Sequence, residues 1–278
     1  MKSRFALVFV LLAAPHLFAA NPGKAVVNEV KRYGSDAVSM LRAPLHWDEA
    51  MWRKVAIISA ADAAAFAADE SIADAAQRNR SHFSDEFAKA VTPFGGGRAL
   101  QLSAATVLLG LATRNVKLRD TGRDAIEASI FASGFLTPAI KRVAGRSRPN
   151  AGEGAFAFDP LSKNESFPSG HATNAFAVAS VFAAHSDGWV VPTIAYTLAT
   201  GVAVSRMNDN VHFASDVIAG AAIGTAVGRS IVARHKRAAT ADGADSSRID
   251  WTIIPTRGGV AFQVWIPIDR ITHAFAAR

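Results

Sequence analysis

The stretch Glu165–Ser180, ESFPSGHATNAFAVAS, sets a polar turn at the mouth of an apolar run. Pro168, Ser169, Gly170 and His171 make the turn, and the residues after them are small, apolar and suited to a helix. Two readings fit this arrangement. In the plainer one, Ser169 caps the helix, Gly170 permits the turn and His171 merely follows. In the other, an anion sits at the helix start, where free backbone N–H groups and the positive end of the dipole are available. The stretch alone leaves both open.

The flanking sequence narrows the choice. Upstream, KRVAGRSRP places Lys141 six residues before the pair Arg148-Pro149. Downstream, SRMNDNVHFASD gives Ser205-Arg206, five residues, His212, three residues and Asp216. Taken singly, each piece has an ordinary reading: cations suit a helix C-terminus, Pro149 stops a helix, and His212 with Asp216 is a helical i,i+4 pair. Together they supply three fixed cations, a Ser-Gly turn and two histidines, one with a carboxylate four residues on. Cations and N–H donors match phosphate oxygens. A His backed by a carboxylate suits a nucleophile, and a second His suits a general acid.

These three ordered pieces resemble the signature of the type 2 phosphatidic acid phosphatase superfamily, which also holds class A bacterial acid phosphatases and vanadium haloperoxidases. Its pattern is K-x6-RP, PSGH and SR-x5-H-x3-D, and every fixed position is matched between Lys141 and Asp216. The resemblance implies an all-α helical bundle of the acid phosphatase/haloperoxidase type. It implies a phosphatase acting on phosphate monoesters or diphosphates, with either a lipid phosphate or a small soluble ester as substrate. His212 would be the nucleophile that becomes a phosphohistidine, and Asp216 would orient it and stabilise its positive charge. His171 would serve as general acid and then general base. Lys141, Arg148, Ser169, Gly170 and Arg206 would cradle the phosphate. Three cations can neutralise the developing charge, so no metal and no cofactor is expected. Two alternatives stand beside this. A vanadate-dependent haloperoxidase would use the same cradle, although haloperoxidases of this superfamily are much longer chains. A non-catalytic phosphate-binding protein would need neither His171 nor His212.

The rest of the chain gives the setting. Met1-Lys2-Ser3-Arg4 followed by FALVFVLLAAPHLFAA has the layout of a signal peptide over residues 1–20, with a retained N-terminal anchor as the alternative. Export is expected either way, with a periplasmic or membrane-associated location and the active site outside the cytoplasm. A polar and aromatic lead-in runs to about Trp52. Ala-rich helices are expected over Val55–Ala68, Phe87–Val91, Leu102–Thr113, Ala125–Val143, Ala172–Ala184, Trp189–Val204 and Phe213–Arg234. Residues 21–234 thus form the helical domain, with a Gly/Pro/Asn-rich loop from Arg146 to Phe167. Residues 235–250 read as a solvated linker, and the alternating segment 251–278, turning at Arg257-Gly258-Gly259, as a C-terminal β-hairpin.

Composition bounds the remaining possibilities. The 278 residues are 50% hydrophobic and 19% charged, which excludes a disordered chain and gives enough length for one sizeable core. No cysteine is present, so disulfides and thiolate metal sites are excluded. A net charge of +7 suits phosphorylated substrates or an anionic membrane surface. The cations are scattered without an aromatic-interleaved run, so no nucleic-acid partner is expected. A spanning helix needs about 20 apolar residues. Only Gly188–Val204 comes near this, and Asp62 and Glu127 interrupt other runs. A soluble or loosely membrane-attached domain is therefore expected in preference to a multi-span protein. His46, His82, His185, His235 and His273 read as structural or surface residues, His16 belongs to the signal, and Asp209 and Asn210 read as turn residues. Phe156 and Phe158 read as loop packing.

Overall fold

The computed structural model describes residues 22–245, 250–256 and 259–265. The expected signal segment, residues 1–20, lies outside them. The chain divides into a helical unit ending at Val232 and a second unit from Ala233.

The helices in chain order are α1 (Pro22–Arg42), α2 (Glu49–Arg78), α3 (His82–Val91), α4 (Gly97–Ala112), α5 (Val116–Ser129), α6 (Thr137–Ala144), α7 (Gly170–His185), α8 (Val190–Asn208) and α9 (Ala214–Asp245). Their starts are written in the sequence. Asp48 caps α2 by accepting from the Met51 N–H at 2.7 Å, and Asn115 caps α5 by accepting from Leu118 at 3.1 Å. Ser81 and Ser84 form a reciprocal capping box at α3. α6 ends at Gly145, whose φ of 59° is left-handed; a side chain there would also overlap the Asp159 carbonyl.

Several expected boundaries shift. The lead-in before Trp52 contains α1, because its apolar residues recur on one face of a helix rather than as a run. The stretch read as one helix over Ala125–Val143 is three pieces: the end of α5, a π-helical segment Ile130–Leu136, and α6. The linker expected from residue 235 is helical through Asp245, since HKRAATA has no breaker and good helix formers continue α9. Within the second unit, strands β1 (Asp250–Thr256) and β2 (Gly259–Trp265) pair antiparallel, with Trp251 opposite Val264 and Ile253 opposite Phe262.

Small residues let the helices of the first unit approach closely. One core cluster joins Ala99, Ala125, Ala128, Ala132, Ala177, Val178 and Val181 to Val227, Ile231 and Val232. A second joins Ala175 and Ala179 of α7 to Ala199 and Val202 of α8, with Phe94, Phe176 and Tyr196 around them. α7 contributes to both, so it is apolar all round and central. The tightest seam is between α7 and α9. A methyl group on Gly220 would lie 2.7 Å from the Ser169 carbonyl oxygen; one on Gly224 would lie 2.8 Å from the Ala177 nitrogen; one on Gly228 would lie 2.5 Å from the Ala177 oxygen. Glycine every fourth residue thus brings two backbones together, as in small-residue helix interfaces of membrane proteins. Backbone atoms cannot rotate aside. Gly224→Leu should therefore cost at least about 2–3 kcal/mol, the upper range for overpacking. That corresponds to a loss of about 5–10 °C in Tm. Ala226→Leu, at an exposed position on the same helix, should leave Tm within about 1 °C. Equal Tm values for the two variants would remove the seam from the account.

Two helices are long and apolar enough to cross a membrane, Val190–Asn208 and Ala214–Thr240. The expectation of a single near-candidate is corrected here. The second is easy to miss because its hydropathy is carried by Ala, Ile and Val spread between glycines rather than by a dense block.

Candidate active site

Helix α7 opens at Ser169, whose hydroxyl accepts from the Ala172 N–H at 3.4 Å. The capping role of the opening stretch is therefore present: Ser169 caps, and Gly170 and His171 begin the helix. The Ser169 N–H donates to the Asp216 carbonyl at 2.8 Å, which ties the second motif directly to the third. The first motif is tied to the third by the Asn150 N–H, which donates to the Asn210 carbonyl at 3.2 Å. Lys141, on α6, donates to the Glu165 carbonyl, and a methyl on Gly170 would lie 4.0 Å from Lys141 Cε. The Arg146–Phe167 loop is ordered by its own pairing: Ser147 N–H to the Ala157 carbonyl at 3.0 Å and Ser166 N–H to the Arg146 carbonyl at 2.9 Å.

His212 is buried, and its Nδ1 lies 3.5 Å from Asp216 Oδ2. That distance is too long for a good hydrogen bond, and Nδ1 has no hydrogen-bond partner. Asp216 is occupied from behind: Oδ2 accepts from the Ser166 hydroxyl at 2.6 Å and the Phe213 N–H at 2.8 Å, and Oδ1 accepts from Arg146 Nη1 at 2.8 Å. A small imidazole movement would close the contact, as happens when apo geometries tighten on binding. Burial, the largest influence, pulls His212 below its ordinary value while Asp216 opposes it. The downward shift favours the neutral ring, the form a nitrogen nucleophile requires.

The electrostatics gather the remaining motif residues. Burial first, then Arg206, His212, Lys141 and Arg148, push His171 down to about 4. Burial and then Arg148 pull Lys141 down to about 8. Three cations and two histidines within mutual influence, around one helix start, make a region of positive potential, which suits an anion. Gly95 makes room for His171, since a methyl on it would lie 2.8 Å from His171 Cβ; one on Gly96 would be in ordinary contact, 3.6 Å from Nε2.

The structure also brings in residues that motif spacing does not mark. Arg206 Nη1 donates to Asp209 Oδ2 at 2.9 Å and to Thr92 Oγ1 at 3.0 Å, so Asp209 does more than turn the chain. Its position three residues after Arg206 on a helix end was the available signal. Arg146, Asp69, Ser166 and Ser215 form a buried polar cluster behind Asp216. Of the other histidines, His185, at the opposite end of α7 from His171, pairs with Asp124 at 2.8 Å. Phe158 packs its ring 5.8 Å from Phe66, which agrees with a loop-packing role, and Phe156 does so at 5.6 Å.

Comparison with known proteins bears on the family and the fold. Residues 126–239 match the model of the PAP2 superfamily, a span that contains all three motifs. A lipid A 1-phosphatase from Rhizobium etli is 39% identical over 101 residues, covering 34% of this chain and 43% of the relative. Another, from Porphyromonas gingivalis, is 43% identical over 67 residues, covering 23% of this chain and 15% of that one. The chain thus spans about two fifths of the length of the Rhizobium relatives it matches. The crystal structure of a transmembrane PAP2 type phosphatidylglycerolphosphate phosphatase from Bacillus subtilis is 26% identical, with a TM-score of 0.51, covering 68% of this chain and 95% of that one. The motif positions, their spacing, the helical fold and the family match agree: over residues 126–239 the chain is similar to the type 2 phosphatidic acid phosphatase superfamily.

Proposed function

We propose that the protein is a metal-independent lipid phosphatase that works through a phosphohistidine at His212. The observation that carries this reading is the pairing of a buried, neutral imidazole with a carboxylate at one side of a cationic helix start. Nδ1 faces Asp216, so Nε2 is the nitrogen left to attack phosphorus. Attack forms the N–P bond and leaves the imidazole positively charged, which Asp216 stabilises. His171 gives a proton to the departing oxygen, then takes one from the water that cleaves the N–P bond. Lys141, Arg148 and Arg206, with the Ser169 hydroxyl and the Gly170 N–H, hold the non-bridging oxygens.

A phosphorylated lipid is favoured over a soluble ester because the relatives named above act on lipid phosphates and two helices are long and apolar enough to span a bilayer. Large apolar side chains such as Ile57, Leu108, Leu109, Trp189 and Ile194 are also exposed on the helical unit, the pattern of a surface that meets lipid rather than water. An exported orientation, with the site outside the cytoplasm, is part of the same proposal and rests on the N-terminal sequence.

The test uses the purified full chain in detergent micelles, with phosphatidate or an isoprenyl diphosphate beside a soluble aryl phosphate. Release of phosphate from the lipid is expected with chelator present, and vanadate should inhibit by filling the cradle as a five-coordinate mimic. Activity lost to chelator and restored by zinc or magnesium would overturn the mechanism. Hydrolysis of the aryl phosphate alone would overturn the lipid assignment.

A further inference from the structure

Behind Asp216 lies a group the motif does not contain. The Arg146 guanidinium is wholly buried and bridges two wholly buried carboxylates, Asp69 Oδ2 at 2.7 Å and Asp216 Oδ1 at 2.8 Å. Its remaining N–H groups are used too: Nε and Nη2 donate to the Ala155 carbonyl at 3.0 and 2.7 Å, and Nη1 donates to Ser215 Oγ at 2.7 Å. The rings of Phe66 and Phe213 lie 4.0 and 4.3 Å from the guanidinium carbon. Asp69 Oδ1 accepts from the Ser215 N–H at 2.9 Å. The arrangement ties α2, the loop after α6 and the start of α9 together.

Fixing Asp216 in place would need Arg146 alone. A lone Arg146–Asp216 pair, however, would be neutral, and a neutral pair gives little stabilisation to a cation forming on His212. Asp69 changes the sum. One guanidinium between two carboxylates carries one net negative charge, held in a medium where charge interactions are strong. We propose that Asp69, acting through Arg146, is a positioning residue of the nucleophile: it keeps a net negative charge behind Asp216 as His212 takes on positive charge. This rests on the reading of His212 as nucleophile.

Other charged groups face the same ring or cluster and must be separated from Asp69. Lys141 and Arg148 oppose a charge on His212, as does His171 from α7. Asp62, two turns before Asp69 on the same face of α2, is half-buried with an unpartnered Oδ1; burial first, then Asp69 and Asp216, raise it to about 6 while Arg146 opposes. The experiment is therefore done in an Asp62→Asn background, so that this carboxyl does not titrate in the same range.

Asp69→Asn removes the charge with little change of shape, and Asp69→Ser does so with room for water should the Asn variant fail to fold. The His212 ring is titrated by NMR without substrate, and kcat and KM are then measured. Loss of the negative charge should move His212 titration to lower pH. It should also lower kcat about tenfold to a hundredfold, the scale seen when an outer partner of a reacting group is removed, with KM within about threefold. Asp69→Glu should restore part of both. An unchanged His212 titration with kcat within about twofold of the background, whatever the change in Tm, would reduce Asp69 to a structural role. Because the titration uses no substrate, it judges Asp69 even if the wild type hydrolyses no phosphate ester; that second outcome would instead overturn the phosphatase reading.

Discussion

Replacing His212 with alanine should lower turnover at least about a thousandfold on lipid and aryl phosphates alike, the scale on which a covalent nucleophile is missed. The reason is geometric. Among the described residues of the motif region, His212 is the one imidazole with a carboxylate beside Nδ1, 3.5 Å away, and therefore with Nε2 directed elsewhere. The ring is buried, and burial favours its neutral form, which can attack without losing a proton. Rapid acid-free quenching of the wild type during turnover should trap a phosphohistidine that decays in acid. His212→Ala should trap none, yet should still bind vanadate, because Lys141, Arg148 and Arg206 remain. Near-normal turnover in His212→Ala would end its assignment as nucleophile.

His171→Ala should separate two kinds of substrate. A lipid alkoxide is a poor leaving group and needs a proton as the P–O bond breaks, whereas a nitrophenolate leaves well without one. The loss on lipid phosphates should be about 10²–10⁴-fold, the ordinary worth of a general acid. The loss on nitrophenyl phosphate should be at least about tenfold smaller. The pH behaviour carries a sign that can be worked out. In the empty site His171 is pushed down to about 4, by burial first and then by Arg206, His212, Lys141 and Arg148. At neutral pH it is therefore unprotonated before substrate arrives. A phosphate dianion placed among those same cations offsets their repulsion, though not the burial, so the value should rise on binding and proton uptake is expected. Calorimetry of vanadate binding in buffers of different ionisation heat should report that uptake between about pH 6 and 7.5, and His171→Ala should abolish it. Equal losses on both substrates, with no proton uptake in the wild type, would return His171 to the ordinary reading of a residue that follows a helix cap.

The motif residues stand out in the string because each piece is local: a capping Ser, a His four residues before an Asp, and cations near helix ends; the structure differs in placing His212 in the turn before α9 rather than on the helix. The cluster of Asp69, Arg146 and Ser166 does not stand out, because nothing in the string AADESIADAA marks one of its two aspartates as buried and the other residues as outward. Only the fold brings α2 against the loop after α6. The π-helical segment Ile130–Leu136 was hidden for a similar reason: one extra residue per turn leaves composition unchanged. The continuous helix past His235 was hidden by charge, since a solvated face and a solvated linker have the same composition. The second long apolar helix was diluted by the glycines that make its seam with α7.

That seam has a consequence for motion. Gly220, Gly224 and Gly228 press one main chain on another, and the Ser169 N–H is bonded to the Asp216 carbonyl at the seam's upper end. The helix bearing His171 and the helix bearing Asp216 therefore meet through atoms that have no rotamers to explore. Thermal hopping of side chains, which loosens most packed contacts on the nanosecond scale, leaves this spacing alone. The spacing of the two helix starts is set by helix docking, an all-or-none event, so the proposed phosphate cradle should persist as long as the fold does and vanish with it rather than loosen by degrees.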